Sequence, residues 1–357
     1  MRILLGNRFG KIIEEVQPDV GSVSWILDGI GQVVLTFAKS DSKATASNLQ
    51  VGNRVYIEMD HGLPAWGGTI EVPRKWTAGT VSVSCYGIEY QLSSRVTRKN
   101  DIFNDRLAGS IFSDLLLHEE QKDPLGIVLG KVWMGGRLHR LSYHYKPVWQ
   151  VLTDGLRKYE QCDFRFTPLL DGNTIQFRAD LGQILGEDRT TAVALVEGSG
   201  AGCNVSGDLT LEEQGAVINV QYTAGSGSSW GDDRTVVVAK DSNSAARHGL
   251  REKQATYSGI ADVATLQMLA ERALSQNSEP RRIFSLPVLD AEPGRFSAYG
   301  LGDVVRAVLS TYGFGGYDGK LRVLAREFDP SSGGCKLVVE EQNEIVPWIY
   351  TDETGGA

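Results

Sequence analysis

The chain is poor in the residues that catalytic and metal centres are commonly built from. It holds four cysteines and five histidines in 357 residues. Cys85, Cys162, Cys203 and Cys335 lie far apart with no C-x-x-C pair, which predicts free thiols and excludes a disulfide framework. Among His61, His118, His139, His144 and His248, only His139 and His144 are close in sequence. No cysteine or carboxylate follows them at ligand spacing, so no metal site is expected. Long apolar runs are missing as well, which excludes a membrane-spanning helix. The opening "MRILLGNRFGKIIEE" alternates apolar and polar residues and has no apolar core of the kind a signal peptide needs, so the chain is expected to stay in the cytoplasm where it is made. Positive charge is in deficit: 36 Lys and Arg stand against 44 Asp and Glu, a net charge of −8. A general nucleic-acid-binding surface would be basic, although an acidic lining would let DNA pass without sticking.

The chemical signatures of enzymes are absent too. There is no G-x-S-x-G, no H-E-x-x-H and no phosphate loop ending in Gly-Lys-Ser/Thr. "HEEQ" at His118 lacks the second histidine of a zinc helix. "GSGAG" from Gly198 has no convincing strand before it or helix after it, which a dinucleotide fingerprint requires. The paired carboxylates Glu14-Glu15, Glu212-Glu213 and Glu340-Glu341 sit in strand patterns, where neighbouring side chains point to opposite faces and make a poor acid/base couple. The catalytic, cofactor and metal assignments are therefore all none. Of the seven tryptophans, Trp66 and Trp149 fit core positions, while Trp76 and Trp230 read as loop residues and are the better contact candidates. Asp232 and Asp233 in the long loop "TAGSGSSWGDDRT" read as solvated loop-tip residues.

What the chain does have is an internal repeat. "LQVGNRVYIEMD" (49–60) followed by "WGGTIEVPRKWTAGTVSVSCYGIE" (66–89) matches "YGLGDVVRAVLS" (299–310) followed by "DGKLRVLAREFDPSSGGCKLVVEE" (318–341). Gly52 aligns with Gly302, Val55 with Val305, and "TVSVSC" with "KLVVEE". Each copy reads as a glycine turn, an alternating strand, a second strand, a polar turn and a third strand. Repeats decide architecture, and two barrel-like copies suggest a ring-building protein rather than an enzyme.

Between the copies the pattern becomes helical. Leu107, Ile111 and Leu115, with Ala108, Phe112 and Leu116, form one apolar stripe, and Asn104 or Asp105 is the expected N-cap. A second helix is expected from Pro147, with Val148, Leu152, Leu156 and Tyr159 on one side. A hairpin follows, with Phe164 and Phe166 alternating, a turn at Asp171-Gly172-Asn173, and Ile175 and Phe177 alternating back. Later, "AVINVQY" reads as a strand. "ADVATLQMLAERALSQNSEP" reads as a helix capped by Asp262 and stopped before Pro280, with Val263, Leu266, Ala270, Ala273 and Leu274 on its apolar face. The expected fold class is α+β and β-dominated: a first tube-like β-barrel domain over 1–96, a middle α+β domain over 97–182, and a second tube-like β-barrel domain over 183–350. A loop and helix insertion occupies about 225–281 of the last domain, and a polar tail runs over 351–357.

"LQVGNRVYIEMDHGLPAWGGTIE", "VSVSCYGIEYQLSSRV", "ARHGLREKQ" and "YGLGDVVRAV", in that order, resemble the baseplate hub proteins of tailed bacteriophages, both the central tail-tip proteins of long non-contractile (siphovirus) tails and the hubs of contractile tails. His248 stands where the family often has tyrosine. The resemblance implies a virion structural protein at the tail tip, synthesised and assembled in the host bacterial cytoplasm. It implies a homotrimer whose barrels form a pseudo-hexameric ring. That ring would dock on the distal tail protein or tail tube protein, meet the tape measure protein, cap or gate the channel, and carry a central tail fibre or spike. Viral DNA would pass through without sequence-specific binding, and no stable membrane insertion is implied. The chain ends soon after the second copy, so no hydrolase domain is expected on it. The alternatives are a cell-wall hydrolase and a glycan- or receptor-binding tail protein using the Trp230 loop.

Overall fold

The computed structural model describes residues 1–136, 139–157, 160, 162–227, 234–257, 262–310 and 316–342. Tyr159, Trp230, Asp232, Asp233 and the tail over 351–357 lie outside them. The fold is α+β and dominated by strands.

The first repeat supplies β1 (Arg2–Gly6), β2 (Ile12–Val16), β3 (Asp19–Val20), β4 (Val23–Ile26), β5 (Gln32–Ala38), β6 (Arg54–Glu58), β7 (Trp66–Trp76) and β8 (Thr80–Tyr86). All but β4 form one seven-stranded sheet in the order β2-β1-β6-β7-β8-β5-β3. The alternation read from the sequence is the alternation of burial. Val33, Leu35 and Phe37 of β5 point into the core, as do Val81, Val83 and Cys85 of β8, and the residues between them do not.

The middle of the chain contains α1 (Glu89–Ser93), β9 (Asp101–Arg106), α2 (Ala108–Lys122), β10 (Ile127–Val132), β11 (His139–Tyr143), α3 (Val148–Gln150), β12 (Asp163–Asp171) and β13 (Thr174–Gly182). Ile111, Phe112, Leu115 and Leu116 of α2 pack with Leu152, Leu156, Phe164 and Phe177 in a core of their own. The β12–β13 hairpin closes with Asp171 opposite Thr174, and Gly172 adopts a φ of 56°. The expected cap of α2 is corrected. Asn104 and Asp105 belong to β9, which pairs with β11, and the helix starts at Ala108 with an extended Leu107 before it and no side-chain cap. Strand pairing with a distant segment overrides a local capping signal here. The helix at Pro147 begins at Val148 and after one turn widens into a π-helical stretch over Val151–Arg157.

The second repeat contributes β14 (Ala194–Val196), β15 (Thr210–Gln214), then an inserted unit of β16 (Val220–Ala224), β17 (Val236–Lys240), α4 (Ser242–His248), β18 (Glu252–Thr256) and α5 (Val263–Asn277), then β19 (Arg281–Val288), β20 (Val304–Leu309), β21 (Tyr317–Asp329) and β22 (Gly334–Glu341). The main sheet runs β14-β20-β21-β22-β19-β15, and β4 of the first repeat joins it by pairing with β21. The inserted unit has its own three-stranded sheet and a small core built on Ile218, Leu266, Ala270 and Leu274. Asp262 caps α5 by accepting from Thr265 N–H at 2.8 Å. Val263, at the first helical position, is exposed.

The two main sheets share an order: β6-β7-β8-β5 corresponds to β20-β21-β22-β19, with β3 and β15 in matching places at the edge. The correspondence reaches individual hydrogen bonds. Gly52 and Gly302 both have φ of 87°. Gly52 N–H donates to Ile70 O and Ile70 N–H to Asn53 O; Gly302 N–H donates to Val323 O and Val323 N–H to Asp303 O. Each long strand then bulges, between Glu71 and Arg74 in β7 and between Val323 and Ala325 in β21. The third strands correspond two residues out of the alignment expected from sequence: Cys85 faces Ile70 as Val339 faces Val323. A shift of two keeps the same side chains inward, which is why the pattern still reads as a match.

No sheet closes into a barrel among the described residues. The two repeats also do not have separate cores. One continuous apolar cluster contains Leu5, Leu35, Ile57 and Val83 of the first together with Phe284, Leu286, Val305 and Leu337 of the second.

Candidate functional site

The structure draws attention to the seam between the repeats, and to its meeting with the middle of the chain. The seam is made by β4, which leaves the first sheet and pairs antiparallel with Ala325–Phe328 of β21. Two indoles hold it in place: Trp66 Nε1 donates to Ser24 O at 3.0 Å and Trp25 Nε1 to Ala65 O at 3.3 Å. Trp66 is buried, as its strand position predicts. The two glycines after it are required by close approach. A Cβ on Gly67 would lie 2.5 Å from Pro168 Cβ, and one on Gly68 would lie 2.0 Å from Tyr86 O. The Trp-Gly-Gly sequence therefore clamps β4 on one side and admits β12 on the other.

Arg326 crosses under the seam. Its guanidinium is buried, donates to Phe296 O at 3.2 Å and to Tyr299 O at 2.8 Å, and lies 4.6 Å from the Tyr299 ring centroid. Burial pushes the Tyr299 hydroxyl far above the usual range for tyrosine. Beside the seam a groove of about 450 Å³ is lined by Ser24, Ile26, Val34, Tyr86, Glu327 and Lys336.

Where the middle of the chain meets both repeats, two carboxylates and two arginines gather. Asp28, just after β4, accepts from Phe164 N–H at 2.7 Å and pairs with Arg157 at 3.0 Å. Asp163 at the head of β12 pairs with Arg322 of β21, which also donates to Gly302 O and Leu185 O. Burial, reinforced by the nearby Asp163 charge, raises the Asp28 carboxyl to about 7, against the pull of Arg157. An acid whose pKa is raised by folding holds its proton better when folded. Its contribution is fully present below about pH 4 and is lost as pH rises through 7, an effect on the order of 4 kcal/mol. Asp28→Asn keeps the acceptor for Phe164 and suits the left-handed backbone there (φ 51°). The variant is expected to match the parent near pH 5, to exceed it by about 3 kcal/mol at pH 8, and to show a flatter stability profile in urea titrations across that range. A variant less stable than the parent at pH 8 would refute this assignment.

The residues singled out from sequence are scattered, not convergent. Each carboxylate pair is held by ion pairs: Glu14 with Lys43, Glu15 with Arg2, Glu213 and Glu341 with Arg282, and Glu340 with Arg281. Cys85, Cys162 and Cys335 are buried and free, and burial raises all three thiols, those of Cys162 and Cys335 to about 12. Among the described residues no group of three or more His, Cys, Asp or Glu is placed to hold a metal, and no described helix is long and apolar enough to cross a membrane. "GSGAG" follows β14 in a turn, and the chain comes straight back to Val205 beside Glu197. Trp149 packs edge-on against Phe164 at 5.3 Å. Trp76 is exposed, but it is corrected from loop to strand: it ends β7, opposite Val81 of β8. Sequence reasoning missed Arg74 and Arg326, the counterpart arginines of the two repeats. Their signal was present as "RKW" and "REF", an arginine, a charge and an aromatic at the same place after the bulge.

Neither a protein-family profile nor a curated protein sequence matches this chain. Solved structures do. Over 96% of its length it superposes on 95% of a prophage tail protein from Listeria monocytogenes EGD-e, with a TM-score of 0.62 at 12% identity. It has the tail-protein fold. The same fold relates it to the tail protein from Neisseria meningitidis MC58 (TM-score 0.62, 14% identity, 96% of both chains). It also relates it to the 43 kDa tail protein of prophage MuSo2 from Shewanella oneidensis (TM-score 0.62, 11% identity, 96% of this chain and 98% of that one). At such identities the tail-protein fold is carried by the order of elements and the burial pattern, with little shared side-chain chemistry.

Proposed function

We propose that the chain is a structural baseplate hub at the distal end of a phage tail. One observation carries this reading: within the tail-protein fold, two copies of one sheet are joined by β4 and share one apolar core. In this reading the two sheets are tail-tube-like barrel domains, bounded by 1–96 and 183–350, with 97–182 inserted between them. A trimer of such chains presents six tube-like units to a six-fold tail ring and a three-fold face below. The upper face meets the distal tail or tail tube protein and the tape measure protein. The lower face caps or gates the channel and bears a central fibre or spike, and DNA leaves through the middle. The role is mechanical and not enzymatic in this reading, because Arg326, Arg322 and Asp163 are occupied with backbone carbonyls and with one another.

A gold label directed to a tag on the chain, in negative-stain images of assembled tails, tests the reading. Label confined to the tail tip is expected. Label along the tube or at the head end, or a tail that assembles fully without the chain, would overturn it.

A further inference from the structure

Arg54 is a buried cation without a counter-ion. It is 1% exposed, and its hydrogen bonds go to the carbonyls of Ile175 and Pro124. Among the described residues no carboxylate lies within 4 Å of its guanidinium. Glu120 favours its charge, but from beyond that distance. Burying a charge that neutral acceptors alone satisfy is costly. The guanidinium also faces an opening. A cavity of about 140 Å³ between the first sheet and the middle of the chain is lined by Arg54 together with Arg8, Gly52, Gln91, Arg95 and Asp123. The first sheet supplies Arg8, from the β1–β2 turn, and Arg54 of β6; the middle supplies Gln91 of α1, Arg95 after it and Asp123 after α2. The arginines deepen from mouth to floor. The side chain of Arg8 is 59% exposed and that of Arg95 13%, and Arg54 is the buried end. The acids nearby are engaged. Asp123 spans Arg8 at 3.4 Å and Arg95 at 3.2 Å without pairing with Arg54. Glu119 meets Arg95 at 3.5 Å and Lys122 at 3.7 Å. Glu120 accepts from the N–H groups of Leu125 and Ile127, each at 2.9 Å. Glu71 accepts from Thr69 at 2.9 Å and from Gln91. The cavity wall therefore carries three guanidiniums against one carboxylate.

We infer that this cavity binds a phosphate group, held by Arg8, Arg54 and Arg95. Size and charge both select it. The volume equals about four waters at a share of about 30 Å³ each. That is room for a tetrahedral oxyanion and too little for a nucleoside. A carboxylate offers two oxygens in one plane, and the one present, Asp123, takes Arg8 and Arg95 and leaves Arg54 unmatched. A phosphate offers oxygens in four directions and carries nearly two charges at neutral pH, so it can accept from three guanidiniums together. In a chain of net charge −8, the attraction is local and not general. The walls come from two parts of the molecule, so the ligand would tie the first sheet to the middle of the chain beside Arg54's own hold on Ile175 O and Pro124 O. Such a ligand stabilises the folded chain by mass action. The site lies away from the seam and does not depend on the hub reading.

The test uses the full chain, with inorganic phosphate as the probe. The melting temperature in about 50 mM phosphate is expected to exceed that in chloride of equal ionic strength by about 3 °C. Phosphate also stabilises proteins by exclusion from their surface, so titration calorimetry on variants decides. Arg8→Gln, at the exposed mouth, is expected to weaken phosphate binding at least about tenfold. Asp123→Asn, which frees two arginines of their carboxylate, is expected to tighten it about threefold; a residue that only held the fold together would not do so. Arg2→Gln removes the same charge as Arg8→Gln at the far end of β1, where Arg2 pairs with Glu15, and is expected to leave binding unchanged. Dimethyl phosphate separates the sources. Binding of inorganic phosphate alone assigns the site to a free ion or a chain terminus, and binding of both extends it to the backbone of a phosphodiester polymer. No saturable binding of either, acetate bound as tightly as phosphate, parental affinity in Arg8→Gln, or weaker binding in Asp123→Asn would each overturn the inference.

Discussion

Gly302→Ala is expected to destabilise the chain by about 4 kcal/mol, whereas the same change at the matching Gly52 is expected to cost only about 1 kcal/mol. Both glycines have φ of 87°, so both alanines bear the same left-handed strain. Their surroundings differ. A Cβ on Gly52 meets nothing within 4 Å, while one on Gly302 lies 2.0 Å from Leu185 O and 2.8 Å from Leu185 C. The segment leaving the middle of the chain lies directly on the second turn, where Arg322 also fastens Leu185 O. Alanine at 302 must push that backbone away and disturb the Asp163–Arg322 pair with it. Urea unfolding of the two variants checks the difference. Equal losses would show that the turn conformation, not its neighbour, sets the cost.

Arg54→Met is expected to cost about 3 kcal/mol. Arg54 stands where the second repeat has Val304, and it has no counterpart there. Its guanidinium is buried, donating to Ile175 O at 2.7 Å and to Pro124 O at 3.4 Å, so it fastens the first sheet to the middle of the chain. Gly10 and Gly126 make room for it: a Cβ on either would come within 2.4 Å of Arg54 Nη1. Burial lowers its pKa to about 10, with Glu120 favouring the charge, and the group stays protonated at neutral pH. Methionine fills similar volume but leaves both carbonyls without their donor. Arg54→Lys is expected to recover part of the loss, since one ammonium can reach one carbonyl. A Met variant as stable as the parent in urea would show that water or a shifted side chain serves those carbonyls.

The repeat was legible in the sequence because both copies need a left-handed glycine before an alternating strand, and because burial follows that alternation. The β12–β13 hairpin and helix α5 were legible for the same local reasons: a Gly-Asn turn in one, an Asp cap and an apolar stripe in the other. What the sequence did not disclose depends on distant partners. Residues 23–26 read as an ordinary strand of the first repeat, and nothing local says that they pair with β21. Asn104 and Asp105 look like caps until β11 claims β9. Arg54 and Arg326 look like surface charges until the carbonyls they serve are in place. Trp76 reads as a loop tryptophan until its pairing with Val81 of β8 makes it the end of β7.

The inserted unit leaves and re-enters the second sheet at one point. Gln214 lies opposite Arg281 on adjacent antiparallel strands, and Ile218 N–H donates to Asn277 O at the base of the unit. Geometrically it is an oversized hairpin loop. The parent sheet would close just as well over a two-residue turn, so the unit can be exchanged as a cassette without altering register on either side. That makes the β15–β19 junction a port at which length, charge or an entire foreign domain can vary while the strands of the main sheet stay as they are.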